Sequence, residues 1–285
     1  MSSKIYIPFM QFCTIRLQLL TINMRISLLL ILILSLTSCT SSDGDLNFFS
    51  LEDDLMMGEQ LHSILENDPS VKILNETDNA SLYLMLNQIK EDILNSGHLY
   101  HAADLPWKLN IVHNDSIVNA FAAPGGYLYI YTGLLHEVES IDELAGIIAH
   151  EIAHADRRHG SEQLSKQYGI KLLIGFFIGD AASIIADVGS GLIGLNFSRK
   201  NEKEADEMAV SYLLETTYNP IAFADFFERI TDEDHLPAYL TFLSTHPDPG
   251  NRKENIEKLV RTLPGKKPQS HESSFQKMKL LLQDI

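Results

Sequence analysis

His150-Glu151-Ile152-Ala153-His154 decides how the rest of the chain is read. On a helix, positions four apart differ by only about 40° around the axis, so both imidazoles leave one face a turn apart. Two neutral imidazoles so placed can hold one Zn²⁺, and the glutamate beside the first can reach a water at that ion as general base. The flanks are helical in character. Ser140-Ile141-Asp142-Glu143 reads as a capping box, and Leu144, Ile147, Ile148 and Ile152 follow as a core-facing stripe. Arg157, Arg158 and His159 suit a last turn, where the macrodipole favours cations, and Gly160 suits the stop. One helix over residues 141–159 is expected. The bland alternative is a surface helix with two solvated histidines.

Catalytic zinc usually keeps three protein ligands and one open position, so a third ligand is required. Ser198-Arg199-Lys200-Asn201-Glu202-Lys203-Glu204-Ala205-Asp206 opens a second helix that continues through Met208, Ala209, Tyr212 and Leu213. Glu202 and Asp206 share a face one turn apart. That arrangement suits one carboxylate as the third ligand and a second that binds the far nitrogen of a ligand histidine and fixes its tautomer. Glu204 points about 160° away beside Lys203 and reads as solvated. The bland reading makes all of these charges one wet helix face.

The order His-Glu-x-x-His, then Ser-Arg-x-x-Glu-x-Glu-Ala-Asp, then Thr245-His246-Pro247 with Arg252 following, resembles the HtpX and CAAX-prenyl-protease family of zinc metallopeptidases. The stretch Asn119-Ala120-Phe121-Ala122-Ala123-Pro124-Gly125-Gly126-Tyr127-Leu128-Tyr129 and the segment Phe49-Ser50-Leu51-Glu52-Asp53-Asp54 also resemble it, in the bacterial lipoprotein branch near the β-barrel assembly-enhancing protease. The likeness spans residues 48–260. Relatives with a helical-repeat domain carry it after the catalytic part, whereas this chain ends at Ile285, so a catalytic domain alone is expected. The resemblance implies a zincin-like fold and one Zn²⁺ per chain on His150, His154 and Glu202, with Glu151 as general base. Asp206 then orients a ligand histidine, and Arg252 orients a carboxylate nearby. It also places His246 near the zinc, either stabilising the oxyanion or filling the open position and holding the site latent. Asn119, Ala120, Phe121 and Ala122 are expected to form a strand whose edge pairs with an extended substrate backbone; the structural alternative is a hairpin packed on the helix. Implied substrates are unfolded or misassembled envelope proteins, with the outer-membrane assembly machinery as a further partner.

Residues 24–39 read as a lipoprotein signal. A basic start at Met24-Arg25 leads into an apolar run and then Leu36-Thr37-Ser38-Cys39, with Cys39 as the lipidated first residue of the mature protein. An uncleaved anchor is the alternative. Residues 1–23 read as an upstream extension, 39–47 as a tether, and 48–285 as the metallopeptidase domain. Lipidation would hold the protein at a membrane, with outer membrane facing the periplasm preferred. Removing residues 1–38 takes three basic residues and no acids, moving the formal charge from −16 to −19. That charge excludes nucleic acid as a natural partner. Only Cys13 and Cys39 occur, so the mature body has neither an internal disulfide nor thiolate ligands.

Along the body, Ser50 can cap a helix ending near Glu66, and Leu82, Met85, Leu86, Ile89, Ile93 and Leu94 mark another that ends near Gly97. Strands are expected at 107–113, 117–122 and 127–132, the last two parted by Pro124-Gly125-Gly126. Later helices are expected at 220–230, capped by Asn219, and at 249–262, capped by Asp248. Residues 169–195 are apolar but interrupted by Asp180 and Asp187; a pair of lid helices, core helix or a membrane hairpin all fit. The remaining histidines, His159 among them, show no ligand spacing and read as structural or surface. The fold class is α+β, mostly helical and zincin-like, with a small sheet. The function expected is a lipid-anchored zinc endopeptidase. Its rival is a chaperone-like or adaptor lipoprotein with a zinc site and little proteolysis.

Overall fold

A capping box opens the compact unit Phe48–Ile285: Ser50 Oγ accepts from the Asp53 N–H at 3.1 Å, and the Ser50 N–H donates back to Asp53 Oδ2 at 2.7 Å. The computed structural model describes residues 47–167, 196–230, 236–247 and 251–285. Cys39 and its signal, nearly all of the tether, the apolar stretch 169–195 and the Asp248-Pro249 cap lie outside the described residues. Within them, α1 (Leu51–Asn67) and α2 (Ala80–Leu94) precede β1 (Lys108–Val112), β2 (Ala120–Ala123) and β3 (Tyr127–Tyr131). There follow α3 (Thr132–Glu137), α4 (Ile141–Asp156), α5 (Arg199–Leu213), α6 (Pro220–Ile230), α7 (Leu236–Thr245), α8 (Arg252–Thr262) and α9 (Glu272–Leu281). This is the expected α+β architecture, largely helical with one small sheet.

The sheet order is β1-β3-β2, with β3 parallel to β1 and antiparallel to β2. Side chains alternate across it, as a period of two requires. Ala120, Ala122, Leu128 and Ile130 join the main core with α2 and α4, while Phe121, Ala123, Tyr127, Tyr129 and Tyr131 join a second cluster with Met57, Leu61 and Leu65 of α1. The sheet is therefore buried on both faces, with α1 on one side and α4 on the other. Gly125, at φ 75°, makes the turn between β2 and β3 and passes so close to α1 that an added Cβ would lie 2.7 Å from the Asp54 carbonyl oxygen.

On α4 every residue from Ile141 to Asp156 except Asp142 is buried. Such a helix is central to the core. Ser140 Oγ accepts from the Glu143 N–H at 3.0 Å. The Glu143 carboxylate does not close the box on Ser140; it accepts from the Glu139 N–H at 3.2 Å and pairs with Arg229 of α6. Gly146 lets α6 cross closely, since a Cβ there would sit 2.4 Å from that of Phe223.

The expected end of α4 at 159 is corrected. The helix stops at Asp156, and Arg158, not Gly160, takes the left-handed conformation at φ 60°. The side chain of Arg158 holds it there, with Nε donating to Asp54 Oδ2 and Nη2 to the Phe49 carbonyl, each at 2.6 Å. Residues 159–167 then resume as helix, and Gly160 packs against Pro124. Among the described residues, no helix is long and apolar enough to cross a membrane.

Candidate metal centre

Ser198 fixes the start of α5: its Oγ accepts from the Asn201 N–H at 3.1 Å. Positions 202, 205, 206 and 209 then share one buried face, and α5 packs extensively on α4. That crossing brings His150 and His154 of α4 to Glu202 of α5. The Nε2 atoms of His150 and His154 lie 3.0 Å apart; Glu202 Oε2 is 3.4 Å from the first and Oε1 is 3.3 Å from the second. His246 follows the last residue of α7, its N–H bonded back to the Phe242 carbonyl at 2.8 Å. Its Nδ1 completes the group, 3.4 Å from His150 Nε2 and 3.3 Å from Glu202 Oε1. All four side chains are buried, and their donor atoms lie within 4.8 Å of one another.

This set fits zinc. Tetrahedral donors about 2.0–2.1 Å from one zinc lie about 3.3–3.4 Å from each other, and the five contacts quoted above run from 3.0 to 3.4 Å in a set that spans no more than 4.8 Å. The charges agree. Burial alone would lift the Glu202 carboxyl, but the imidazoles of His246, His150 and His154 outweigh it and hold that carboxyl well below the usual range. Burial opposes charge on His150, yet Asp206 and Glu202 overcome it and raise the imidazole to about 9. Burial dominates at His154 and keeps it neutral.

Asp206 Oδ1 sits 3.0 Å from His150 Nδ1, the nitrogen turned away from the donor cluster. Arg252, on the first turn of α8, braces both acids: Nε donates to Asp206 Oδ2 at 2.8 Å and Nη1 lies 3.3 Å from Glu202 Oε2. Its guanidinium lies 3.5 Å from the centroid of the Phe227 ring. Glu151 faces the same cluster, with Oε1 3.4 Å from His246 Nε2. Both of its carboxylate oxygens are buried without a hydrogen-bond partner. Burial raises its pKa against the pull of His246 and His150. A carboxylate left this bare is costly unless something is meant to arrive there.

Of the expected substrate segment, Ala122 directs its backbone N–H at Glu151 without closing a hydrogen bond. The side chains of Ala120 and Ala122 join the main core, on the side of α4. Phe121 turns to the other face and stacks on Tyr129 with centroids 4.7 Å apart. Asn119 is buried, its carbonyl accepting from the Tyr131 N–H at 3.1 Å. β2 is an outer strand, paired on one side only among the described residues.

One expectation needs correction here. Glu204 is not merely solvated: Arg157 donates to it, His159 lies 3.5 Å away, and these partners, His159 foremost, hold its carboxyl at about 2. His159 is fully buried, with Nδ1 3.0 Å from His154 Nδ1. Five residues along a continuous helix it would face about 140° away; the break at Arg158 brings it back, and no residue-type signal marks that break. Phe197, also unanticipated, stacks on His154 at 4.0 Å between centroids.

Two helices that present a buried His-Glu-x-x-His pair and a distant glutamate to one point define a zinc metallopeptidase centre. The chain belongs to peptidase family M48, whose family model matches residues 85–260. It is 28% identical over 223 residues to the mitochondrial metalloendopeptidase OMA1 of Schizosaccharomyces pombe, covering 76% of this chain and 63% of that protein. It is 32% identical over 171 residues to the putative beta-barrel assembly-enhancing protease of Vibrio cholerae, covering 55% of this chain and 35% of that one. For the beta-barrel assembly-enhancing protease of Escherichia coli K12 the identity is 28% over 163 residues, with 52% and 33% covered. The chain thus spans less than two thirds of the length of each of these relatives.

Proposed function

We propose that this chain is a zinc endopeptidase, lipid-anchored through Cys39 in the bacterial envelope, that cleaves unfolded or misassembled envelope proteins. The observation that carries the reading is Glu151, buried without a hydrogen-bond partner among the described residues and facing four convergent metal donors. His150, His154 and Glu202 would hold the ion. When bound, zinc polarises the scissile carbonyl and makes water acidic enough to attack at neutral pH. Glu151 takes the proton of the attacking water on its carboxylate, then delivers it to the departing amine nitrogen. The raised pKa of Glu151 suits a group that must both accept and return a proton. Asp206 and Arg252 keep His150 and Glu202 in register. The outer edge of β2, with the Ala122 N–H turned toward Glu151, is the place for an extended substrate backbone.

A catalytic zinc keeps one position open, and in this conformation Nδ1 of His246 stands among the donors. We take the conformation as latent: His246 must withdraw before a substrate carbonyl can enter. His246→Ala is therefore expected to raise endoproteolysis of an unfolded polypeptide by about tenfold or more, as removal of a closing contact of about 1.4 kcal/mol would do. A fall of about 10²–10³-fold would instead make His246 a stabiliser of the oxyanion. Binding of the unfolded chain with no cleavage by either form would favour an adaptor lipoprotein that keeps zinc without hydrolysis. Chelation of zinc should stop cleavage, and re-addition should restore it.

The names of the bacterial relatives and the Leu36-Thr37-Ser38-Cys39 pattern support the envelope setting, and the outer-membrane assembly machinery is the partner that setting suggests. Cys39→Ala is expected to move the mature protein from the membrane fraction to the soluble fraction on carbonate extraction, because acyl chains rather than a basic surface anchor a body of formal charge −19. Continued membrane retention of that variant would assign the anchor to an uncleaved apolar segment before Cys39 or to residues 169–195, which deletion of either separates.

A further inference from the structure

The two ligand histidines are supported differently. His150 turns its outer nitrogen directly to the Asp206 carboxylate at 3.0 Å. His154 has no carboxylate in that place; its Nδ1 meets the Nδ1 of His159 at 3.0 Å, the two rings nearly perpendicular at 74°. Both rings are at most 1% exposed, so each faces the other and not bulk water. We propose that His159, backed by Glu204 and Arg157, is the positioning residue that fixes the tautomer and ring orientation of His154 for zinc.

The proton count leaves one arrangement. Two ring nitrogens at 3.0 Å need one donor and one acceptor. His154 turns its Nε2 into the donor cluster as a bare lone pair, so its proton is on Nδ1 and is donated to His159. The Nδ1 of His159 therefore accepts, and its own proton sits on Nε2. That nitrogen has no hydrogen-bond partner nearer than the Glu204 carboxylate, whose Oε2 is 3.5 Å away. The other oxygen of Glu204 accepts from Arg157 Nε, and Arg157 lies over the Tyr100 ring at 4.4 Å. His154 thus reaches a carboxylate through one intervening imidazole, whereas His150 reaches its own directly.

The chain path is built for this contact. α4 ends two residues after His154, Arg158 reverses the backbone at φ 60°, and Asp54 and the Phe49 carbonyl clamp that arginine. The reversal folds His159, the first residue of the resumed helix, back onto the ring of His154. A turn made by glycine would save strain but would lose the clamp that sets where His159 points. Outer partners of metal-bound histidines typically change metal affinity by about 10–100-fold when removed.

The assignment rests on the zinc reading and is tested on the full chain by metal affinity and by NMR. His159→Phe keeps the volume and removes the acceptor; zinc affinity, measured by competition with a chelator, should fall about 10–100-fold. His159→Gln supplies a carbonyl acceptor and should recover most of that loss. Long-range ¹H–¹⁵N spectra of zinc-loaded wild type should show His159 protonated on Nε2 and His154 on Nδ1. In the zinc-free His159→Phe variant, His154 should lose its preference for Nδ1–H. Zinc affinity within twofold of wild type for His159→Phe, equal loss in the Phe and Gln variants, or a proton on Nδ1 of His159 would each overturn the proposal. Failure of the wild type itself to bind zinc would instead remove the reading on which it stands. Should His159→Phe not fold, Glu204→Gln tests the same relay from its outer end: weaker zinc binding supports it, and unchanged binding with an unchanged His159 tautomer overturns it.

Discussion

Glu151→Gln is expected to retain one zinc per chain and lose about 10²–10⁴-fold in turnover of an unfolded polypeptide. The amide has the size of the carboxylate, so the packing of α4 against the sheet and α5 is undisturbed. It cannot hold a proton between water and the departing amine. The carboxylate it replaces is buried and unpartnered, so no hydrogen-bond network is broken by the exchange, and an isosteric neutral group there is easier to bury than a charge. The folded protein should therefore be at least as resistant to thermal unfolding as wild type. Elemental analysis and a cleavage assay on the same preparation separate the two effects. Undiminished cleavage by this variant would show that some other group moves the proton.

Glu202→Ala acts on the metal instead. It removes one of the three proposed ligands, the carboxylate that lies 3.4 Å from His150 Nε2 and 3.3 Å from His154 Nε2, and with it one of the two acids shown to pair with Arg252. Loss of a ligand exceeds loss of an outer partner, so zinc affinity should drop by more than about 100-fold and the purified variant should carry little metal. Cleavage should vanish with it and not return at modest zinc excess. Wild-type zinc content in Glu202→Ala would place the third ligand elsewhere, with His246 the first residue to examine.

Local pattern reached far into this chain. The α4 stripe, its Ser140 cap, the two-strand signal around Pro124-Gly125-Gly126 and the Asn219 start of α6 are all written in residue types within a few positions of one another. What they left out is tertiary. Residue type points to Gly160 as the end of α4, because glycine tolerates a left-handed backbone; the chain instead places Arg158 there and holds it from α1, more than a hundred residues earlier. His159 and Glu204 carry no local signal for the same reason: their meeting depends on that reversal and on the crossing of α4 with α5. Helices α3, α7 and α9 carried no capping or periodic signal strong enough to mark them, and α7 is what delivers His246 to the cluster. Burial of His246 is a property of that delivery, so a histidine that reads as a loop residue becomes a fourth donor.

Zinc-edge anomalous diffraction from crystals of the full chain would locate the ion. One strong peak is predicted, within bonding reach of His150 Nε2, His154 Nε2 and the Glu202 carboxylate, on the side that Glu151 faces. A peak bounded by other residues, or none in zinc-supplemented crystals, would contradict the account and leave the convergence of α4 and α5 without a catalytic purpose.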